Sequence, residues 1–113
     1  MSDIQVEQID VAIEDMQKAV VRKDNLIKLQ TCKEFLDVID VGYFEEESAK
    51  LVLALAHPAY SGQEQQSRLN KLINGVGCLS QYFGAIMSVG TDAEKAIKEH
   101  EELRAEILSE EVV

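Results

Sequence analysis

The chain of 113 residues has one proline, no tryptophan, two cysteines and two histidines, and aromatic residues make up only 5% of it. A single proline leaves almost nothing to interrupt helices. Cys32 and Cys78 stand alone, with no second thiol or histidine at ligand spacing. That rules out a disulfide framework and predicts reduced, part-buried thiols in a cytoplasmic protein. No cluster of Lys or Arg is present, so direct nucleic-acid binding is not expected. The longest apolar run, Leu51 to Ala56, is too short to span a bilayer, and no membrane association is expected. Met1 begins a polar segment rather than a basic and apolar leader, so no secretory signal is read.

What the sequence has in quantity is acid and helix-forming residues. Hydrophobic residues are 46% of the chain, enough for a core, and the length fits a single helical domain, 1–113. A chain of this size is marginal if its helices are long and thin, and self-association or a partner would help it. The formal net charge is −10, unevenly spread: residues 61–90 carry one net positive charge, while residues 91–113 carry five net negative charges. A nearly neutral segment in an acidic chain marks the element expected to be buried. The acidic remainder suits a basic partner or, more simply, solubility.

Three Ser or Thr residues are followed three positions later by Glu: Thr31–Glu34, Ser61–Glu64 and Thr91–Glu94. This is the signature of a capping box, so each predicts a helix start. The three lie thirty apart, but 31–60 laid over 61–90 shares almost nothing beyond the caps, which rejects a repeat.

The first helix is predicted over 3–30. Val6, Ile9, Ile13, Met16, Val20 and Ile27 form a narrow seam that skips Lys23, the pattern of a coiled coil or antiparallel hairpin. A short helix is predicted over 32–41, stopped at Gly42 by a left-handed cap. Tyr43-Phe44 and three glutamates then lead into a helix carrying Leu51, Val52, Leu55 and Ala56, which must end before His57-Pro58. Residues 57–62 read as a loop. A central helix is predicted over 63–89, with Leu69, Leu72, Ile73, Val76, Leu79, Phe83, Ile86 and Met87 on a broad apolar face. Gly75, Gly77 and Gly84 inside it each cost about 1 kcal/mol against Ala, which is tolerable where another helix approaches closely. An acidic last helix is predicted over 92–109, with Ala93, Ala96, His100, Leu103 and Ile107 inward. The fold expected is all-α: a helical hairpin or bundle of about five helices, with long N-terminal and central helices and two short ones between.

No grouping carries recognisable catalysis. Asp37 and Asp40, and the glutamates flanking His100, lack the second histidine or Glu-x-x-His pair of a helical metal site, so no metal or other cofactor is expected. Gly75-Val76-Gly77 is followed by no phosphate-binding Lys-Ser or Lys-Thr. His57 and His100 read as a loop residue and a packing residue, and no local pattern marks either cysteine as a nucleophile. The expectation is a non-enzyme. What remains concerns association. Tyr43, Phe44, Tyr60 and Tyr82 are candidate anchors for a protein partner. The seam residues Ile9, Ile13, Met16 and Val20 are candidates as well, unless the seam packs on the last helix of its own chain.

Phe35, Ile39, Gly42-Tyr43-Phe44, Glu47, Ala49 and Leu51-Val52, continuing through His57-Pro58, Gln65-Gln66, Ile73, Gly77 and Gln81-Tyr82-Phe83, resemble a pattern in small helical proteins of tailed bacteriophages. The resemblance covers roughly residues 22–87. It departs at Thr31-Cys32, where an Asn-Pro break is common, which leaves open a fusion of the first two helices. The resemblance implies no catalytic residues. It implies a binding role in virion structure or assembly, as a homo-oligomer or with another phage or host protein, in the host cytoplasm or the virion. The alternative is an acidic inhibitor, or nucleic-acid mimic, on a basic surface of a host protein.

Overall fold

The computed structural model describes residues 2–111. Helix α1 spans Ser2–Thr31. One turn of α2, Lys33–Phe35, passes into a π-helical segment, Leu36–Glu47, and then into α3, Ser48–Ala56. A 3-10 turn, Pro58–Tyr60, leads to α4, Gln63–Glu111, a helix of 49 residues. No strand occurs among the described residues. The all-α expectation holds, but the described residues form three long helical stretches, not five helices.

Two predicted breaks are absent. Gly42 does not cap a helix: no glycine has a positive φ among the described residues, and the chain stays helical from Lys33 to Ala56. Thr91 does not open a helix either. Its hydroxyl donates to the Met87 carbonyl at 2.8 Å, four residues back, which satisfies the side chain without leaving the helix.

Two breaks do occur where expected, although the capping box expected at Thr31 does not form, since Cys32 stands at the cap with no side-chain capping bond. At the first, Thr31 turns its hydroxyl back to the Lys28 carbonyl (2.7 Å). The extended residue is Cys32 (φ −78°, ψ 121°), whose carbonyl accepts the first bond of the next helix from the Leu36 amide at 3.0 Å. At the second, α3 ends at Ala56 because His57, extended before Pro58, cannot continue it. The Gly62 carbonyl then accepts from the Gln66 amide, and α4 begins.

The chain packs as two compact units, Met1–Leu26 with Ala85–Val113, and Ile27–Gly84. In the first, ion pairs join Asp10 to Arg104 (2.9 Å) and Lys23 to Glu94 (3.1 Å), so α1 and the end of α4 run antiparallel. The inward residues of α1 include Val6, Ile9, Ile13, Met16 and Val20, as the seam predicts, with Ala12 and Ala19 beside them, and then Lys23 and Leu26. Ile27 is 40% exposed while Leu26 is 3% exposed, which corrects the end of the seam. Gly90 lets α4 come close to Lys23, so that the position the apolar pattern skipped lies inward. Across from this seam lie Ile86, Met87, Gly90, Ala93, Ile97 and His100, followed by Arg104 and Ile107. Leu103, expected inward, is exposed, and Arg104 takes the inward position with its guanidinium on Asp10.

The second unit is an antiparallel helical hairpin. The Gln66 side-chain amide closes it, donating to the carbonyls of Leu55 (3.0 Å) and Tyr60 (2.7 Å). His57 Nδ1 accepts from the Ala59 amide at 3.0 Å and shapes the turn. The inward face of α4 here is the narrow stripe Gln66, Leu69, Ile73, Val76, Leu79 and Phe83, and Leu72 lies outside it, exposed. The interior glycines are not packing sites. A Cβ on Gly77 or Gly84 would meet nothing within 4 Å, and one on Gly75 would make only ordinary contact with the Tyr43 hydroxyl, at 3.8 Å.

Candidate interaction surface

The π-helical segment explains the aromatic corner. In an α-helix, residues nine apart are about two and a half turns apart and face opposite ways. The wider i→i+5 winding brings them back to nearly one face. Phe35 and Phe44 are nine apart, and both lie 5.9 Å from Phe83, Phe44 meeting it edge to face and Phe35 tilted. The inward positions Phe35, Ile39, Tyr43, Glu47, Leu51 and Leu55 recur every four residues, a period that an unbroken α-helix would not hold on one side. At Gly42 a Cβ would lie 3.0 Å from the Asp37 carbonyl oxygen, five residues earlier. At the end of the segment the Ser48 hydroxyl turns back to the Phe44 and Glu45 carbonyls.

The candidate residues fall into distinct settings. Tyr43 and Phe44 are half-buried, with rings 5.7 Å apart. Tyr60 is 44% exposed beside His57, and Tyr82 is 54% exposed beside Phe83. Ile9 is buried, and Ile13, Met16 and Val20 are half-buried in the seam of the first unit. That seam therefore packs within its own chain.

Sequence reading missed the outward face of α3. Leu51 is buried and Leu55 half-buried, whereas Ala49, Val52, Leu53 and Ala56 are all exposed, Leu53 at 73%. These four stand at i, i+3, i+4 and i+7, one face of a helix. The signal was in the sequence, since α3 carries two interleaved apolar stripes with Lys50 its single charge. Beside this helix a shallow groove is lined by Lys50, Leu51, Tyr60, Arg68, Leu69 and Leu72, cationic at its rim in an otherwise acidic chain.

The remaining chemistry is sparse. Cys32 and Cys78 are both exposed, which corrects the part-buried placement, and both are free thiols. The Cys32 thiol donates to Glu34 Oε2 at 3.3 Å. Glu34 is held below the usual carboxylate range by a bond to its own backbone amide and, secondarily, by this thiol. His100 Nδ1 lies 2.8 Å from the Ala96 carbonyl. Among the described residues no group of three or more His, Cys, Asp or Glu could hold a metal ion. By length and composition alone, helix α4 is long and apolar enough to cross a membrane.

No family model, curated protein or solved structure matches the chain.

Proposed function

We propose that this chain is a non-enzymatic helical interaction protein that works as a homo-oligomer, in virion structure or assembly of a tailed bacteriophage. One observation carries the binding role: the apolar surface of the chain is largely uncovered. Its buried apolar residues are Ile9, Leu26, Leu51, Val76 and Ala93, and no large side chain is fully buried among the described residues. Val38, Val52, Leu53, Tyr82 and Val89 are each more than half exposed. The phage context rests on the sequence resemblance over residues 22–87.

Light scattering after size exclusion, over a series of protein concentrations, tests this reading. A mass above 12.6 kDa that falls on dilution is expected, and a monomer at the highest concentration overturns it. The acidic-inhibitor reading draws on the acid excess of residues 91–113. It predicts a monomer that captures a basic host protein, with binding that weakens steeply as salt rises.

A further inference from the structure

We infer that the segment Leu36–Glu47 is a register switch: wound as a π-helix it turns Leu51 and Leu55 of α3 inward, and rewound as an α-helix it turns Ala49, Leu53 and Ala56 inward in their place. The inference does not depend on the oligomer reading.

An α-helix advances about 100° per residue, so positions three and four apart return to one side. Phe35 lies just before the segment, with its ring 5.9 Å from that of Phe83 on α4. Continuous α winding from Phe35 would bring Ile39, Gly42, Glu46, Ala49, Leu53 and Ala56 to the same side. The observed winding instead returns every fourth residue, to Ile39, Tyr43, Glu47, Leu51 and Leu55. The two sets part after Ile39, and by α3 they differ by two residues, about half a turn. That is the offset between the covered and the exposed apolar stripes of α3. Leu53 is 73% exposed, with Ala49 and Ala56 exposed on the same face. These three residues are the inward stripe of the second register.

The terms that hold the two registers are opposed. The observed one covers Tyr43, Leu51 and Leu55 where the other covers the smaller set Gly42, Ala49 and Leu53. It also brings Phe44 to 5.9 Å from Phe83, and the Gln66 amide donates to the Leu55 carbonyl at 3.0 Å. Against it stands a π-helical run of 12 residues, where single turns are the rule. Gly42 admits that run, since a Cβ there would stand 3.0 Å from the Asp37 carbonyl oxygen. Either register turns one glutamate inward, Glu47 or Glu46, so charge does not choose between them. Packed helices exchange between discrete arrangements of this kind rather than deforming continuously. Rotation exchanges an exposed Leu53 for an exposed Leu51 and Leu55, so the switch sets which apolar face the hairpin offers.

The test uses the full chain. Gly42→Ala combined with Leu55→Ala weakens the observed register at two points and leaves the second one intact, because an α-helix accepts alanine at 42 and turns position 55 away. The expected result is that nuclear Overhauser contacts between the Phe35 and Phe83 rings persist while those between Phe44 and Phe83 disappear, with the helical circular dichroism unchanged. Survival of both ring contacts, or loss of both, overturns the inference. A milder measurement keeps the test decisive if that variant folds poorly. In a chain with Cys32→Ser and Cys78→Ser, adding Gly42→Ala should speed thiol labelling of Leu51→Cys roughly fivefold, the ratio that matches the overpacking cost at position 42. Labelling of Val76→Cys, on the α4 stripe that both registers cover, should keep its rate. Equal acceleration at both positions would mean that the hairpin opens instead of rotating, and no acceleration at Leu51→Cys would mean that only one register exists; either result overturns the inference.

Discussion

Gly90 on α4 lies directly against the side chain of Lys23 on α1: a Cβ built on Gly90 would stand 2.5 Å from Lys23 Cβ and 2.8 Å from its Cδ. The contact involves the root of the lysine, which cannot swing aside as the tip can. Here the glycine permits a helix contact that no larger residue allows.

Gly90→Ala is therefore expected to destabilise the protein by about 1–3 kcal/mol, the range for overpacking, despite the better helix propensity of alanine. Gly77→Ala and Gly84→Ala should do the reverse. Their Cβ atoms would enter open space, and each should gain up to about 1 kcal/mol. Urea unfolding of the three variants checks the opposite signs.

Gly42→Ala should also lower stability, for a different reason. The new methyl would press on the Asp37 carbonyl oxygen, a backbone atom held by the π-helical winding. The expected loss is roughly 1 kcal/mol or more, with the urea midpoint moving opposite to that of Gly84→Ala. An unchanged or raised midpoint would show that the segment rewinds as α-helix without penalty.

Lys23 should matter more for its stem than for its charge. Its side chain is 13% exposed, while its partner Glu94 is 45% exposed. A pair that open to solvent is worth less than about 1 kcal/mol and weakens with salt. The methylenes, by contrast, cover the Gly90 contact. Lys23→Met should then stay within about 1 kcal/mol of the parent, Glu94→Gln should have a small and salt-dependent effect, and Lys23→Ala should be clearly the worst. Thermal melts at low and high salt separate the three.

Glu34 predicts a small dependence on acid. Its folded pKa is lowered, so its contribution is present above the unfolded carboxylate range and is lost as pH falls through the folded value. Stability measured across the carboxylate range should decline less steeply toward acid in Glu34→Gln than in the parent. Because Glu34 is fully exposed, only the sign and the pH window of the difference are expected to be measurable.

The break at His57-Pro58 was legible from local chemistry, whereas the break at Cys32 falls beside a Thr31 capping box that does not form. His57-Pro58 must leave the helix because of the proline ring. The seam from Val6 to Val20 followed from periodicity alone. The candidate surface was only half legible. Tyr60 and Tyr82 are exposed, but the four-residue stripe Ala49, Val52, Leu53 and Ala56 was hidden inside a run that is apolar at nearly every position. Periodicity cannot separate two interleaved stripes when both are apolar.

The sequence by itself determined an all-helical chain, its turn at His57-Pro58 and its acid balance, because a proline and charges act within a few residues of themselves. Only the tertiary structure decided that Gly42 and Thr91 continue their helices, that Lys23 and Leu26 join the seam, and which side of α3 is left in water. A glycine or a hydroxyl is compatible with either ending or continuing a helix. Which happens depends on what packs across from it, as Phe83 does for the π-helical turn and Lys23 does for Gly90.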